Sequence, residues 1–357
     1  MQSSRPRFLQ IYSKRRHPLS NGYLERVRGQ SLDRFEKLRS KLATAEELVA
    51  GKACVYATGS FGRMEAGPLS DLDLFIVVET DEKLKNGKEI TVNRLDGIDE
   101  IKLKHSLIEA VATCGIAPFD GAGKYLELHG IDDFAKKLGE REDDYLNTLT
   151  GRLLLLLESR PLLGRLVYER LLDKVVTAYF GDFPGNESNF IPAFLINDIL
   201  RMWRTFAVNY ELERKKGGKG YRIKNLKLKY ARMITCYSAV MYLLARHIVA
   251  NTVSPQDVKD MVALTPSERL EWITLYVHPT GDDGQRFTDL MHEVVEDYSS
   301  FLAFSHGPRE KIEAEFDSNF AQWREDSYNF GRKFAEALTI LGQSSSPFDG
   351  LYRIILI

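Results

Sequence analysis

The segment Ser70-Asp71-Leu72-Asp73-Leu74-Phe75-Ile76-Val77-Val78 constrains the fold more than any other in the chain. Leu72 to Val78 reads as a short, buried strand. In a strand, residues i and i+2 point to one face. Asp71 and Asp73 therefore project together, while Leu72 and Leu74 point the other way into a core. Two neighbouring carboxylates repel, and burial raises the cost of charging both. They belong either in a solvated turn at the mouth of the strand or beside a cation.

The upstream text favours the cation. Cys54-Val55-Tyr56-Ala57 is a second short apolar run that ends in Gly59-Ser60, a strand entering a tight loop. A helix is expected to follow through Arg63 and Glu65. Backbone N–H groups at such a terminus bind phosphate, and glycine lets the backbone approach closely. Ser60 adds a hydroxyl donor. Arg63 offers a forked donor to phosphate, or pairs with Glu65 or an aspartate instead. Magnesium prefers carboxylates together with substrate phosphate oxygens. Two such ions, about 3.5–4 Å apart, would clamp the attacking and leaving oxygens of an in-line displacement at phosphorus.

Around this pair of strands the chain divides into two kinds of text. Residues 1–20 are basic and irregular, and roughly 30–48 show helical spacing in Phe35, Leu38, Leu42 and Leu48. Lys102 to Thr113 reads as a helix and Lys124 to His129 as a third strand. From about residue 131 the pattern is almost purely helical, over about 143–159, 164–180, 192–214, 224–250, 266–277, 285–304 and 308–341. Ser254-Pro255 and Thr265-Pro266 each set a hydroxyl at an N-cap and proline at the first helical position, and Glu268 completes a capping box. Gly217-Gly218 and Gly220 break the longest run. The expected fold class is α+β: a small mixed-sheet domain (50–140), preceded by a basic segment and helix (1–49). A larger all-helical domain (141–342) and a short tail (343–357) follow.

Composition removes several alternatives. The 357 residues carry a formal net charge of −1, so no global field recruits nucleic acid or membrane. Cys54, Cys114 and Cys236 are far apart and form no CxxC pair, which fits neither a zinc ribbon nor a disulfide framework and suits a reduced, cytoplasmic setting. The N-terminus has no apolar signal region. The longest aliphatic run, Leu153 to Leu157, is too short to span a bilayer and reads as a buried helix segment. The seven histidines form no ligand cluster, and His292-Glu293 lacks the second histidine of a zinc protease.

A strand ending in Gly59-Ser60, ten intervening residues and the Asp71-x-Asp73 strand together resemble the DNA polymerase beta-like nucleotidyltransferase superfamily. Gly59-Ser60-Phe61-Gly62-Arg63-Met64-Glu65 with Ser70-Asp71-Leu72-Asp73-Leu74 looks most like the protein-PII uridylyltransferase group and related bacterial proteins that join this domain to a helical substrate-binding region. The resemblance covers about residues 50–130. It implies that Gly59 and Ser60 hold the β- and γ-phosphates of a nucleoside triphosphate and that Asp71 and Asp73 bind Mg2+ or Mn2+. It also implies a third carboxylate on a later strand between apolar residues. Leu126-Glu127-Leu128 matches, with Asp120 as the rival. Glu127 would hold the second metal and help activate the acceptor hydroxyl. The chain contains no His-Asp dipeptide, so the phosphohydrolase domain of the uridylyltransferases is not expected, nor their nitrogen-sensing role.

A second feature is the acid-free segment carrying Arg214, Lys215, Lys216, Lys219, Arg222, Lys224, Lys227, Lys229 and Arg232, with Tyr221 and Tyr230 within it. It reads either as a solvated helix face or as a wall that meets triphosphate or an acceptor RNA. By resemblance, a helical domain closes the nucleotide cleft, which suits Lys224, Lys227 or Arg232. The expected activity is transfer of a nucleoside monophosphate to an acceptor hydroxyl, on a protein or an RNA, with release of pyrophosphate. An RNA-end or cyclic-oligonucleotide-forming transferase is the alternative chemistry. A non-catalytic nucleotide-binding regulator is the alternative class.

Overall fold

Ala53–Thr58 (β1) is buried along its whole length and forms the centre of the protein's main sheet. The structure is a computed structural model that describes residue 19 and residues 22–85, 87–119, 126–145, 147–216, 220–279 and 282–343. The basic segment before Leu19, Asp120, the loop 217–219 and the C-terminal tail lie outside the described residues.

Two helices, α1 (Gly22–Ser40) and α2 (Ala43–Val49), precede β1 where sequence spacing suggests one. After β1 come the one-turn helix α3 (Gly59–Gly62) and β2 (Asp73–Val78). The hairpin β3 (Thr80–Lys85) and β4 (Lys88–Asn93) follows, then α4 (Gly97–Thr113) and β5 (Leu128–Gly130). The hairpin is absent from the sequence reading, although its Asn86-Gly87 dipeptide is the usual signal for one. The first strand is mostly charged and the second offers only Ile90 and Val92, so neither carries an apolar run.

The main sheet has the order β5-β2-β1-β6, with β1 antiparallel to β2 and β2 parallel to β5. The fourth strand, β6 (Arg160–Leu163), lies inside text that reads as helical. It follows α7 (Thr148–Glu158) and pairs antiparallel with β1. A four-residue strand beginning Arg-Pro is too short for periodicity to reveal, and its pairing with β1 is a tertiary event. The mixed-sheet domain is thus followed by, and also stitched to, the larger helical domain.

The two faces of the sheet have different neighbours. Val55, Ala57, Leu74, Ile76 and Val78 belong to one core with Leu38, Val49, Leu103 and Leu107 from α1, α2 and α4. Cys54, Tyr56 and Val77 belong to the second core, with Leu153 to Leu157 of α7 and the helices that follow. Alternation along β2 puts Asp73 on the Val77 side, facing the helical domain.

After the short helices α5 (Asp133–Lys136) and α6 (Glu142–Tyr145), the helical domain contains α7, α8 (Arg165–Tyr179) and α9 (Ala193–Lys216). Next comes a continuous helix made of α10 (Tyr221–Lys227), a π-helical turn (Leu228–Arg232) and α11 (Met233–Ala250). Then follow α12 (Pro255–Ala263), α13 (Pro266–Tyr276), α14 (Asp282–Ser305) and α15 (Arg309–Gln343). Both proline-marked starts carry full capping boxes, Ser254 with Asp257 and Thr265 with Glu268. The helix Tyr221–Ala250 is long and apolar enough to cross a membrane by composition. Its most apolar window is 67% buried inside the protein, as expected of a core helix.

Candidate active site

The site begins at the open end of the β1–β2 pair, where Thr58 is directly opposite Asp73. The chain leaving β1 turns sharply at Gly59, whose φ is +62°. A Cβ there would sit 2.5 Å from Asp73 Oδ2, so only glycine lets the loop and the carboxylate lie side by side. Gly62 is held more tightly still: its Cβ would fall 1.8 Å from the backbone carbonyl oxygen of Glu158. The expected helix through Glu65 stops at Gly62, because Met64 takes a positive φ of 58° and breaks the run.

Gly59, Ser60, Arg63, Asp71 and Asp73 line one cleft of ≈ 330 Å3. Its opposite wall is helical: Ile223, Lys227, Ala231 and Arg232 come from the 221–250 helix, and Phe301, Leu302, Ser305, His306 and Phe316 from α14, α15 and their junction. The cleft therefore lies between the sheet domain and the helical domain.

Asp71 and Asp73 have no hydrogen-bond or ion-pair partner among the described residues, and both are exposed to the cleft. Surrounding protein atoms push the Asp73 carboxyl up from its ordinary range, and the charge of Asp71 adds to this; Arg232 opposes it. Lys227 also lacks an ion-pair partner among the described residues. Its ammonium is shifted down, first by crowding from protein atoms and then by Arg232 and Arg63, against the pull of Asp71 and Asp73. Lys227 and Asp73 still reach solvent, because the cleft that they line is open. The Ser60 hydroxyl, half-buried on the same wall, makes no hydrogen bond among the described residues.

Arg63 takes the structural option that its sequence context offers. Its Nε donates to Glu65 Oε2 at 2.7 Å and its Nη1 to Glu158 Oε2 at 2.7 Å. Tyr298 of α14 donates to the same Glu65 oxygen at 2.6 Å, tying the loop to the helical domain. His306 packs its ring against Gly67 and takes part in a 3.0 Å hydrogen bond between Nδ1 and the Tyr23 hydroxyl.

Glu158 is absent from the sequence-based site; in the sequence it only follows the Leu153–Leu157 run. Its carboxylate is fully buried and accepts from Gly59 N–H, Arg63, Arg232 and Thr235. Burial alone would raise it, but Arg63 and Arg232, with hydrogen bonds from Arg63 and Thr235, hold it at about 2. An acid closing an otherwise aliphatic run is the one signal in the sequence that could have flagged it.

Two expected residues do not line the cleft. Lys224 is exposed on the 221–250 helix, offset from the line of Ile223, Lys227 and Ala231. Glu127 is exposed and immediately precedes β5. The parallel register of Ile76 with Leu128, continued back one residue, sets Glu127 beside Phe75 on the Asp73 face of the sheet. Among the described residues no group of three or more His, Cys, Asp and Glu side chains is placed to hold a metal ion. Asp120, the rival third carboxylate, is outside the described residues.

Residues 36–149 match the family model described as a nucleotidyltransferase domain. This part of the chain is a nucleotidyltransferase domain of the polymerase beta-like superfamily. No curated protein matches the chain. The matched stretch contains the Gly59-Ser60 loop and both aspartates and ends before Glu158 and the helical wall of the cleft.

Proposed function

We propose that the chain is a metal-dependent nucleotidyltransferase that moves a nucleoside monophosphate from a nucleoside triphosphate to an acceptor hydroxyl and releases pyrophosphate. One observation carries this reading. Two unpartnered carboxylates, Asp71 and Asp73, share a cleft with the Gly59-Ser60 turn and with two cations, Lys227 and Arg232.

The carboxylate pair fits a divalent cation. Both groups are free of protein partners among the described residues, and Asp73 is raised by crowding and by Asp71, which a bound Mg2+ or Mn2+ would relieve. Asp71 and Asp73 would hold the ion, with phosphate oxygens and water filling the remaining positions. Bound there, the metal would supply electrostatic stabilisation of charge developing at phosphorus. Glu127, on the Asp73 face of the sheet, is the proposed third carboxylate. Lys227 and Arg232 bind the triphosphate from the helical side. Ser60 donates its hydroxyl to a phosphate oxygen, and the glycine at 59 lets that phosphate approach. The acceptor hydroxyl enters from the open side of the cleft, attacks the α-phosphorus and gives up its proton to water in the cleft, while the bond from the α-phosphorus to the oxygen bridging to the β-phosphate breaks and pyrophosphate leaves.

A protein is the proposed acceptor, by resemblance to protein-modifying transferases. The unpaired thiols of Cys54, Cys114 and Cys236 suit a reducing, cytoplasmic setting. The test is incubation with each α-labelled ribonucleoside triphosphate, Mg2+ or Mn2+, and cell extract. Products are then treated with protease, nuclease or phosphatase. Protease-sensitive label is expected. Nuclease-sensitive label would make RNA the acceptor, and a small soluble product would indicate oligonucleotide synthesis. Triphosphate binding without any transfer would sink the enzymatic reading.

A further inference from the structure

The two walls of the cleft belong to different parts of the chain, and one buried carboxylate joins them. Glu158 Oε1 accepts from the Gly59 N–H at 3.2 Å and from Arg232 Nη1 at 2.6 Å. Its Oε2 accepts from Arg63 Nη1 at 2.7 Å and from the Thr235 hydroxyl at 2.9 Å. Gly59 and Arg63 come from the loop after β1; Arg232 and Thr235 come from the 221–250 helix. The carboxylate is wholly shielded from solvent, so these charge-assisted contacts act in a low-dielectric setting.

The π-helical turn determines what Arg232 does there. In an α-helix of 3.6 residues per turn, positions five apart are separated by about 140° around the axis. Lys227 and Arg232 would then face different ways. Widening the turn at Leu228–Arg232 to i→i+5 brings positions five apart onto the same side of the helix. Lys227 and Ala231, four apart, already share a helical face; the wider turn adds Arg232 to it, and all three line the cleft. Arg232 is further fixed by the Phe206 ring, 4.7 Å from its guanidinium carbon. A guanidinium has five N–H donors, and the bond to Glu158 uses one Nη1 donor.

We infer that Glu158 is a positioning residue that locks the Gly59-Ser60 loop to Arg232, and that Arg232, carried onto the cleft by the π turn, contacts the triphosphate. The inference rests on the nucleotidyltransferase reading of the cleft. In it, the phosphate site is complete only while the loop and the helix share the Glu158 carboxylate.

The test is calorimetric titration of ATP, GTP, CTP and UTP, with and without Mg2+, into the wild-type chain and into Glu158→Gln, Arg232→Gln, Arg232→Lys and Thr235→Val, with thermal melts of each. For whichever triphosphate the wild type binds, Glu158→Gln and Arg232→Gln are expected to weaken affinity at least 10-fold at temperatures where both remain folded. Arg232→Lys should recover part of the loss. The Glu158→Gln/Arg232→Gln double variant should bind about as weakly as Arg232→Gln alone. Wild-type affinity in folded Glu158→Gln or in Arg232→Gln overturns the inference. If Glu158→Gln does not fold, Arg232→Gln and Thr235→Val decide, and wild-type affinity in either overturns it. If the wild type binds no triphosphate, the reading of the cleft falls as well. If the wild type binds and Asp73→Asn abolishes transfer while Arg232→Gln binds normally, only this inference falls.

Discussion

Asp73 and Glu158 are carboxylates on either side of Gly59, and their surroundings are opposite. Asp73 Oδ2 lies 2.5 Å from where a Cβ on Gly59 would fall; Glu158 Oε1 accepts the Gly59 N–H. Glu158 is dry and has four donors from two domains. Asp73 opens onto a cleft, has no partner among the described residues, and sits beside a second unpartnered aspartate. Their proton affinities move in opposite directions for that reason: Glu158 is held at about 2, and Asp73 is raised. The difference separates a carboxylate that builds the fold from one that the fold holds ready for a ligand. A folded protein rarely leaves paired carboxylates uncompensated without a functional reason.

The largest test of this contrast is Asp73→Asn. Losing one member of the carboxylate pair is expected to lower transfer by about 10^3-fold or more, about 4 kcal/mol in the barrier. The melting temperature should hold or rise, because a raised carboxyl opposes folding once it is charged. A variant that lost stability along with activity would make Asp73 structural, like Glu158.

Glu158→Ala should do the reverse, with a loss of about 3 kcal/mol in urea unfolding as Arg63 and Arg232 lose their shared partner. Acid should reproduce part of this. The folded-state value of Glu158, about 2, lies below the ordinary 4.5, so its contribution is complete above 4.5 and is lost as pH falls toward 2. That amounts to about 3 kcal/mol. Urea midpoints measured from pH 5 to pH 2 on the wild type and Glu158→Ala check it; parallel curves would refute the assignment.

Gly62→Ala, which forces a methyl into the Glu158 carbonyl, is expected to cost about 2 kcal/mol of stability. The smallest effect is expected from Lys227→Met. A single open-cleft cation should contribute about 10-fold to triphosphate affinity, about 1.4 kcal/mol, with an unchanged melting temperature. An unaltered dissociation constant would remove Lys227 from the phosphate wall.

The same contrast explains what was legible beforehand. Asp71 and Asp73 stand out because alternation would set both on one side of an otherwise apolar strand, although the observed strand begins at Asp73. Gly59-Ser60 stands out because a glycine between a strand and a turn restricts the backbone locally. Local rules also give the capped helices at Ser254 and Thr265. Glu158 and β6 could not be found this way. Their roles exist only because α7 delivers Glu158 beneath the Gly59 loop and because Arg160–Leu163 pairs with a strand about a hundred residues earlier. The hairpin β3–β4 had its turn signal but no apolar run.

The sequence by itself determined the two strands, the glycine turn that ends the first and the change from sheet to helix. These follow from periodicity, glycine geometry and capping, which act over a few residues. Only the tertiary structure decided that Arg63 pairs with Glu158 and that the π turn, rather than helical spacing, puts Lys227 and Arg232 on the same side of the helix. It also decided that Lys224 stands outside the cleft. Each of these depends on which distant surface a side chain meets, and neighbouring residues carry no record of that.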